Sequence, residues 1–292
     1  MRKYTSIFTV AALAAFSFNG LGQGMWFPED AAAQYDKMKT MGMKMSWSDI
    51  YSEGGSGSLN DAVVHFGGFC TGEVISNQGL VLTNHHCGFD AIQTHSSLEN
   101  NYLKDGFWAE TFANEKPNPG LYVDFIIKME NVSWEVFPLI AQGKSEREAI
   151  AEVLETKMAA YPSKEGYIGH IDPTYAGNDY ELTIARRYSD VRLVGAPPSA
   201  VGKYGADTDN WVFPRHTGDF SLFRIYTAPD GSPAEYSANN VPMQVKNPLV
   251  VSLKGTEEGD FSLIYGFPGR TTSYLPVSEV AQQLEIMLPV RV

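Results

Sequence analysis

The chain has 292 residues, of which 43% are hydrophobic and 19% charged, a composition that excludes a disordered or low-complexity chain. A formal net charge of −12 excludes the basic face that nucleic acid requires to displace counterions from phosphate. The length suffices for one large β domain or two smaller ones around a real core.

Arg2 and Lys3, an apolar run over 7–18 and small residues over 20–23 read as an export signal spanning residues 1–23. The apolar run is well short of the roughly 20 residues a membrane helix needs. No later segment is apolar enough to span, so the reading is an exported protein, periplasmic or secreted. In an oxidising compartment the two cysteines, Cys70 and Cys87, are expected to pair. The loop they close is worth on the order of 3 kcal/mol in the chain-entropy model.

Along the chain, Asp30 is expected to cap a helix over 31–41 that Gly42 stops, with a second short helix at 47–51. A flexible GGSGS loop follows at 54–58. Strands are predicted at 62–66, 71–76 and 80–84. Residues 89–119 form a long polar and aromatic excursion of the kind that is usually functional or inserted. A strand is predicted at 121–128, and 132–139 is expected to continue the sheet. Ser145 and Glu148 make a capping box ahead of an amphipathic helix carrying Ile150, Val153, Leu154 and Met158, ended by Pro162. Residues 180–188 fit helix or strand. A Gly- and Pro-punctuated loop at 197–209 leads into the dense segment 210–226. A turn at 229–232, strands at 249–253 and 261–265, a turn at 266–269 and a last helix over 280–288 capped by Ser278 complete the reading.

Residues 69–89 read FCTGEVISNQGLVLTNHHCGF, two apolar runs bracketed by the cysteines, with His85 and His86 delivered just before Cys87. A Ser-His-Asp hydrolase of the chymotrypsin type needs its imidazole at such a strand end, and His86, beside the sulfur bridge, is the candidate base. The competing reading is a surface pair or metal ligands. Adjacent histidines on an extended strand point to opposite faces, and no second group of ligands stands at metal spacing, so neither metal nor cofactor is expected. Asp219 opens an apolar strand and is the candidate carboxylate to orient the imidazole; the alternative is a structural bridge from Asp219 to Arg215 or Arg224. Asp207 and Asp209 read as solvated turn residues. The serine should follow Asp219 in a Gly-x-Ser-Gly turn, yet nothing over 221–292 fits, and Gly55-Ser56-Gly57 precedes the histidine in a linker.

Three segments carry a resemblance: Thr83-Asn84-His85-His86-Cys87, the chemically unusual Asn210-Trp211-Val212-Phe213-Pro214-Arg215-His216-Thr217-Gly218-Asp219-Phe220-Ser221, and Gly266-Phe267-Pro268-Gly269-Arg270-Thr271. Together with Gly24-Met25-Trp26 they make nearly the whole chain after residue 23 resemble the bacterial exported serine dipeptidyl-peptidases of the dipeptidyl-peptidase seven and eleven type. The resemblance implies a mainly β fold with helical insertions: a chymotrypsin-like β-barrel, double in the full-length family and incomplete here. Residues 24–276 would be the peptidase barrel region and 277–292 the start of an inserted helical domain. It further implies His86 as general base, Asp219 as its partner, and Asn210 and Trp211 as holders of the free α-amino group of an oligopeptide substrate. A carboxamide oxygen can accept from an ammonium, and an indole can wall the cation's pocket. Homodimerisation is left open. Family members are more than twice as long, with the serine near the far end, so the expectation is an amino-terminal fragment that is inactive alone. The rival readings are a trypsin-like serine endopeptidase and an inactive peptide-binding barrel.

Overall fold

The computed structural model describes residues 26–53, 57–206, 208, 212–269 and 275–291. The predicted export signal, most of the GGSGS loop, Asp207, Asp209, Asn210, Trp211 and Arg270-Thr271 lie outside the described residues.

The chain enters through Pro28–Ala31 (α1), a 3-10 turn at Ala32–Gln34 and Tyr35–Thr40 (α2). Among the described residues helical backbone thus begins at Pro28, a residue suited to a first turn because its missing N–H is unneeded there; Asp30 lies inside α1 and is not its cap. Gly42, at φ 103°, ends the helical run as expected. Trp47–Ile50 (α3) is held by Ser46, whose hydroxyl accepts from the Asp49 N–H.

Three short strands then form a meander: Val63–Phe66 (β1), Cys70–Val74 (β2) and Leu80–Thr83 (β3). β2 pairs with β3 through Val74↔Val81. Their turn needs Gly79 at φ 65°, where a Cβ would lie 3.1 Å from the Ile225 carbonyl oxygen. The long excursion is folded: Phe89–Thr94 (α4), Tyr102–Asp105 (α5), Phe107–Trp108 (β4) and Lys116–Pro117 (β5). Glu115, buried, ties it down by accepting at 2.8 Å from both Arg224 Nε and the Tyr226 hydroxyl.

Beyond it run Val123–Asn131 (β6), Ser133–Ala141 (α6), Glu146–Met158 (α7), Tyr167–Thr174 (β7), Asp179–Tyr188 (β8), Asp190–Ala196 (β9), Ser199–Gly202 (α8), Ser221–Thr227 (β10) and Val241–Pro242 (β11). All pairings are antiparallel, in the order β4-β9-β10-β3-β2-β1-β6-β8-β7, with β11 on β10 and β5 on β9. The protein is therefore mainly antiparallel β sheet with helices, and among the described residues that path is open, without the barrel closure the resemblance implies. One core fills the inner face of the meander with Val64, Phe66, Val74, Val81, Leu193, Phe223 and Ile225. A second lies under α6 and α7, where Val132, Val136, Ala149 and Val153 meet Leu182 and Ile184 of β8.

The expected strand at 132–139 is the helix α6. Its apolar positions 132, 136, 139 and 140 recur at helical spacing and bury against β8. Asn131 Oδ1 accepts from the Ser133 N–H at 3.1 Å, turning the chain out of β6. The open segment 180–188 is strand. The expected strands at 249–253 and 261–265 are not strands: Leu249 donates to the Val74 carbonyl at 2.8 Å, but Leu253 is 95% and Ile264 103% exposed, so no ladder forms beside them among the described residues. The last helix starts at Val277 (α9, Val277–Gln282) with Pro276 at its cap, which puts Ser278 within the first turn.

Candidate active site

The site follows from one register. β3 and β10 run antiparallel with Thr83 opposite Ser221, so the residues that leave β3, Asn84 to Cys87, lie beside those that enter β10, Gly218 to Phe220. Ser221 locks this crossing by donating its hydroxyl to the Asn84 carbonyl at 2.8 Å. Gly88 is needed there, because a Cβ would sit 2.6 Å from that hydroxyl oxygen.

Asp219 receives three polar hydrogens. Its Oδ1 accepts from the His86 backbone N–H at 3.1 Å, its Oδ2 lies 2.8 Å from His86 Nδ1, and the Asn84 amide donates to Oδ2 at 3.3 Å and to the Asp219 carbonyl at 3.2 Å. A carboxylate accepts only, so Nδ1 carries the proton, and Nε2 is the nitrogen left with a lone pair. The imidazole is 70% exposed and the carboxylate 20%, so the outer edge of the ring is open to a reactant while its inner edge is fixed. Arg224, a candidate bridge partner for Asp219, bonds Glu115 instead.

Cys70 and Cys87 form a disulfide with Cα atoms 6.2 Å apart. It fixes the residue after His86 to the start of β2. The two sulfurs and a His86 nitrogen lie within 4.8 Å of one another, but a disulfide offers no thiolate, so this trio is not a metal donor set. Asn210 and Trp211 lie outside the described residues; the flanking loop forms a cavity of about 180 Å³ lined by Tyr204, Val212, Pro214, His216 and Thr217.

The sequence reading left His85 without a role. It is 1% exposed, facing inward as its neighbour faces outward. Burial, the largest influence, holds its pKa below the ordinary histidine value. Asn84 and Ser221 were also missed; the signal for both was their place at the ends of strands that the His-Asp pairing requires to be neighbours.

The Peptidase S46 family model matches residues 22–292. The chain belongs to the peptidase S46 family. Among its S46 relatives, the Asp/Glu-specific dipeptidyl-peptidase of Capnocytophaga gingivalis is 47% identical over 96% of this chain and 40% of its own length. Dipeptidyl-peptidase 7 of Phocaeicola vulgatus is 45% identical over 97% of this chain and 41% of its own. The crystal structure of Porphyromonas endodontalis DPP11 in complex with the dipeptide Arg-Asp superposes with a TM-score of 0.84 at 46% identity, covering 92% of this chain and 40% of that one. The chain thus spans about 40% of the length of these relatives. No described helix is long and apolar enough to cross a membrane.

Proposed function

We propose that this S46 chain carries the general base and the orienting carboxylate of a serine-type dipeptidyl-peptidase that is exported and releases dipeptides from the free N-terminus of oligopeptides. The observation that carries this reading is the 2.8 Å contact between His86 Nδ1 and Asp219 Oδ2, with the far side of the ring exposed. With Nδ1–H held by the carboxylate, Nε2 accepts the proton of a serine hydroxyl that lies outside the described residues. The serine oxygen then bonds the scissile carbonyl carbon. The imidazolium, stabilised by Asp219, returns its proton to the leaving amine as the C–N bond breaks, and water deprotonated by the same nitrogen then cleaves the serine ester, freeing the dipeptide and restoring the hydroxyl. Asn210 and Trp211 are the proposed holders of the substrate's ammonium, which sets the cut two residues from the end. In this reading residues 24–276 belong to the peptidase unit and the helices from Val277 onward begin an inserted domain.

The test uses the full-length protein with peptides whose N-terminus is free or acetylated. Dipeptide release from the free form alone, abolished by His86→Ala, is the expected outcome. Equal cleavage of the acetylated form would make the protein an endopeptidase. Failure to take up a fluorophosphonate would make it a binding module.

A further inference from the structure

We propose that His85 is the positioning residue of Asp219, acting through α8 and the backbone that leads into β10. This rests on the functional reading only in what Asp219 is for.

His85 and His86 leave β3 as consecutive residues, and the alternation of extended backbone sends one side chain inward and the other outward. The inward ring is buried and its Nε2 has no hydrogen-bond partner. The ring's flat side lies against Gly202: a Cβ at that position would stand 2.3 Å from His85 Cγ and Cδ2. Gly202 is the last residue of α8, so His85 packs on that turn where the chain leaves it.

The same turn holds Asp219. The Val201 carbonyl accepts from the Gly218 N–H at 3.0 Å, and Gly218 packs so closely that a Cβ there would meet Val201 Cγ1 at 2.8 Å. Gly218 is the residue before Asp219. A continuous set of contacts therefore runs from the His85 ring through Gly202 and Val201 to Gly218, and returns through Asp219 to His86. The two adjacent histidines hold the two ends of one loop: His85 its entry at Gly202, His86 its exit at Asp219. A buried ring nitrogen without a partner is costly, and its retention is accounted for if the ring's flat packing against a glycine is what the site requires.

Two substitutions separate this role from general packing. His85→Ala removes the ring that packs on the turn, while Gly202→Ala puts a methyl group where the ring lies. Amide hydrogen exchange of the full-length protein reads the outcome directly. The His86 N–H, held by Asp219, and the Gly218 N–H, held by Val201, are expected to exchange about tenfold faster in both variants, with the amides of β6 and β8 unchanged. In dipeptide release, kcat is expected to fall by up to about 10²-fold with KM little altered, because the displaced group serves the chemical step. Unchanged exchange at 86 and 218 in folded His85→Ala overturns the proposal; should Gly202→Ala fail to fold, His85→Ala decides alone. A wild-type protein without dipeptide release would defeat the proposed function, yet the exchange comparison would still decide this one.

Discussion

Asp219 serves His86 with both of its oxygens, one on the backbone N–H and one on Nδ1, and this double acceptance makes it sensitive to an isosteric change. In Asp219→Asn one oxygen becomes an NH2 donor. Whichever way the amide turns, it faces an N–H with a hydrogen of its own, or else forces the ring to the tautomer with Nε2–H, which cannot accept a proton. The full-length protein is expected to lose about 10⁴-fold in kcat with its fold intact, the scale on which such a tautomer error acts in a triad. An unchanged kcat would mean that Asp219 is structural. At this scale the sequence was informative where chemistry is local: a histidine at a strand end, an aspartate opening the next apolar run. His85 was not legible, because what gives it a role is a glycine far along the chain that allows its ring to approach the backbone.

Elements position the site through two further ties, and each can be cut. The disulfide closes a loop of 17 positions around β2 and β3, so Cys70→Ser with Cys87→Ser is expected to lower stability by about 3 kcal/mol in the chain-entropy account, read from urea denaturation midpoints. The second tie is Glu115, which holds the excursion between α4 and β6 onto β10. Burial, ahead of its bond to Glu115, pushes the Tyr226 phenol far above its ordinary value, a sign of how dry this cluster is. Glu115→Ala leaves the Arg224 guanidinium buried without its carboxylate and is expected to cost about 3–5 kcal/mol, with part regained on adding Arg224→Met. The excursion's length was visible in the sequence as an anomaly, but its anchoring was not, since a lone glutamate in a polar stretch reads as solvated. The error at 132–139 has a similar origin: an apolar run of that length fits both periods, and only the buried face of β8 selects the helical one.

For the whole molecule, the dependence of stability on pH near neutrality falls to the histidines, whose ordinary value is near 6.5. Burial lowers the pKa of His85 and of His65, the latter stacked on Phe267 with ring centroids 4.4 Å apart. Its bond to Asp172 raises that of His170. The raised group stabilises the fold fully below pH 6.5, and that contribution is lost as pH rises through its folded value. The lowered pair acts oppositely: below 6.5 the unfolded chain takes up protons that the folded one refuses, so stability falls as the pH drops. Glu130 and Asp172, whose values are lowered, titrate at more acidic pH and leave this window clear. Glu73, raised by burial beside Leu249 and Phe261, opposes the decline as the pH falls. In urea unfolding at pH 7.5, 6.5 and 5.5, His170 is therefore expected to raise the midpoint as the pH falls from 7.5 to 6.5 and the buried pair to lower it as the pH falls from 6.5 to 5.5. His170→Gln should remove the gain between 7.5 and 6.5, and His65→Gln should reduce the loss between 6.5 and 5.5. A loss between 6.5 and 5.5 that His65→Gln leaves unchanged would show that this buried ring is protonated in the native fold, against the desolvation that its position imposes.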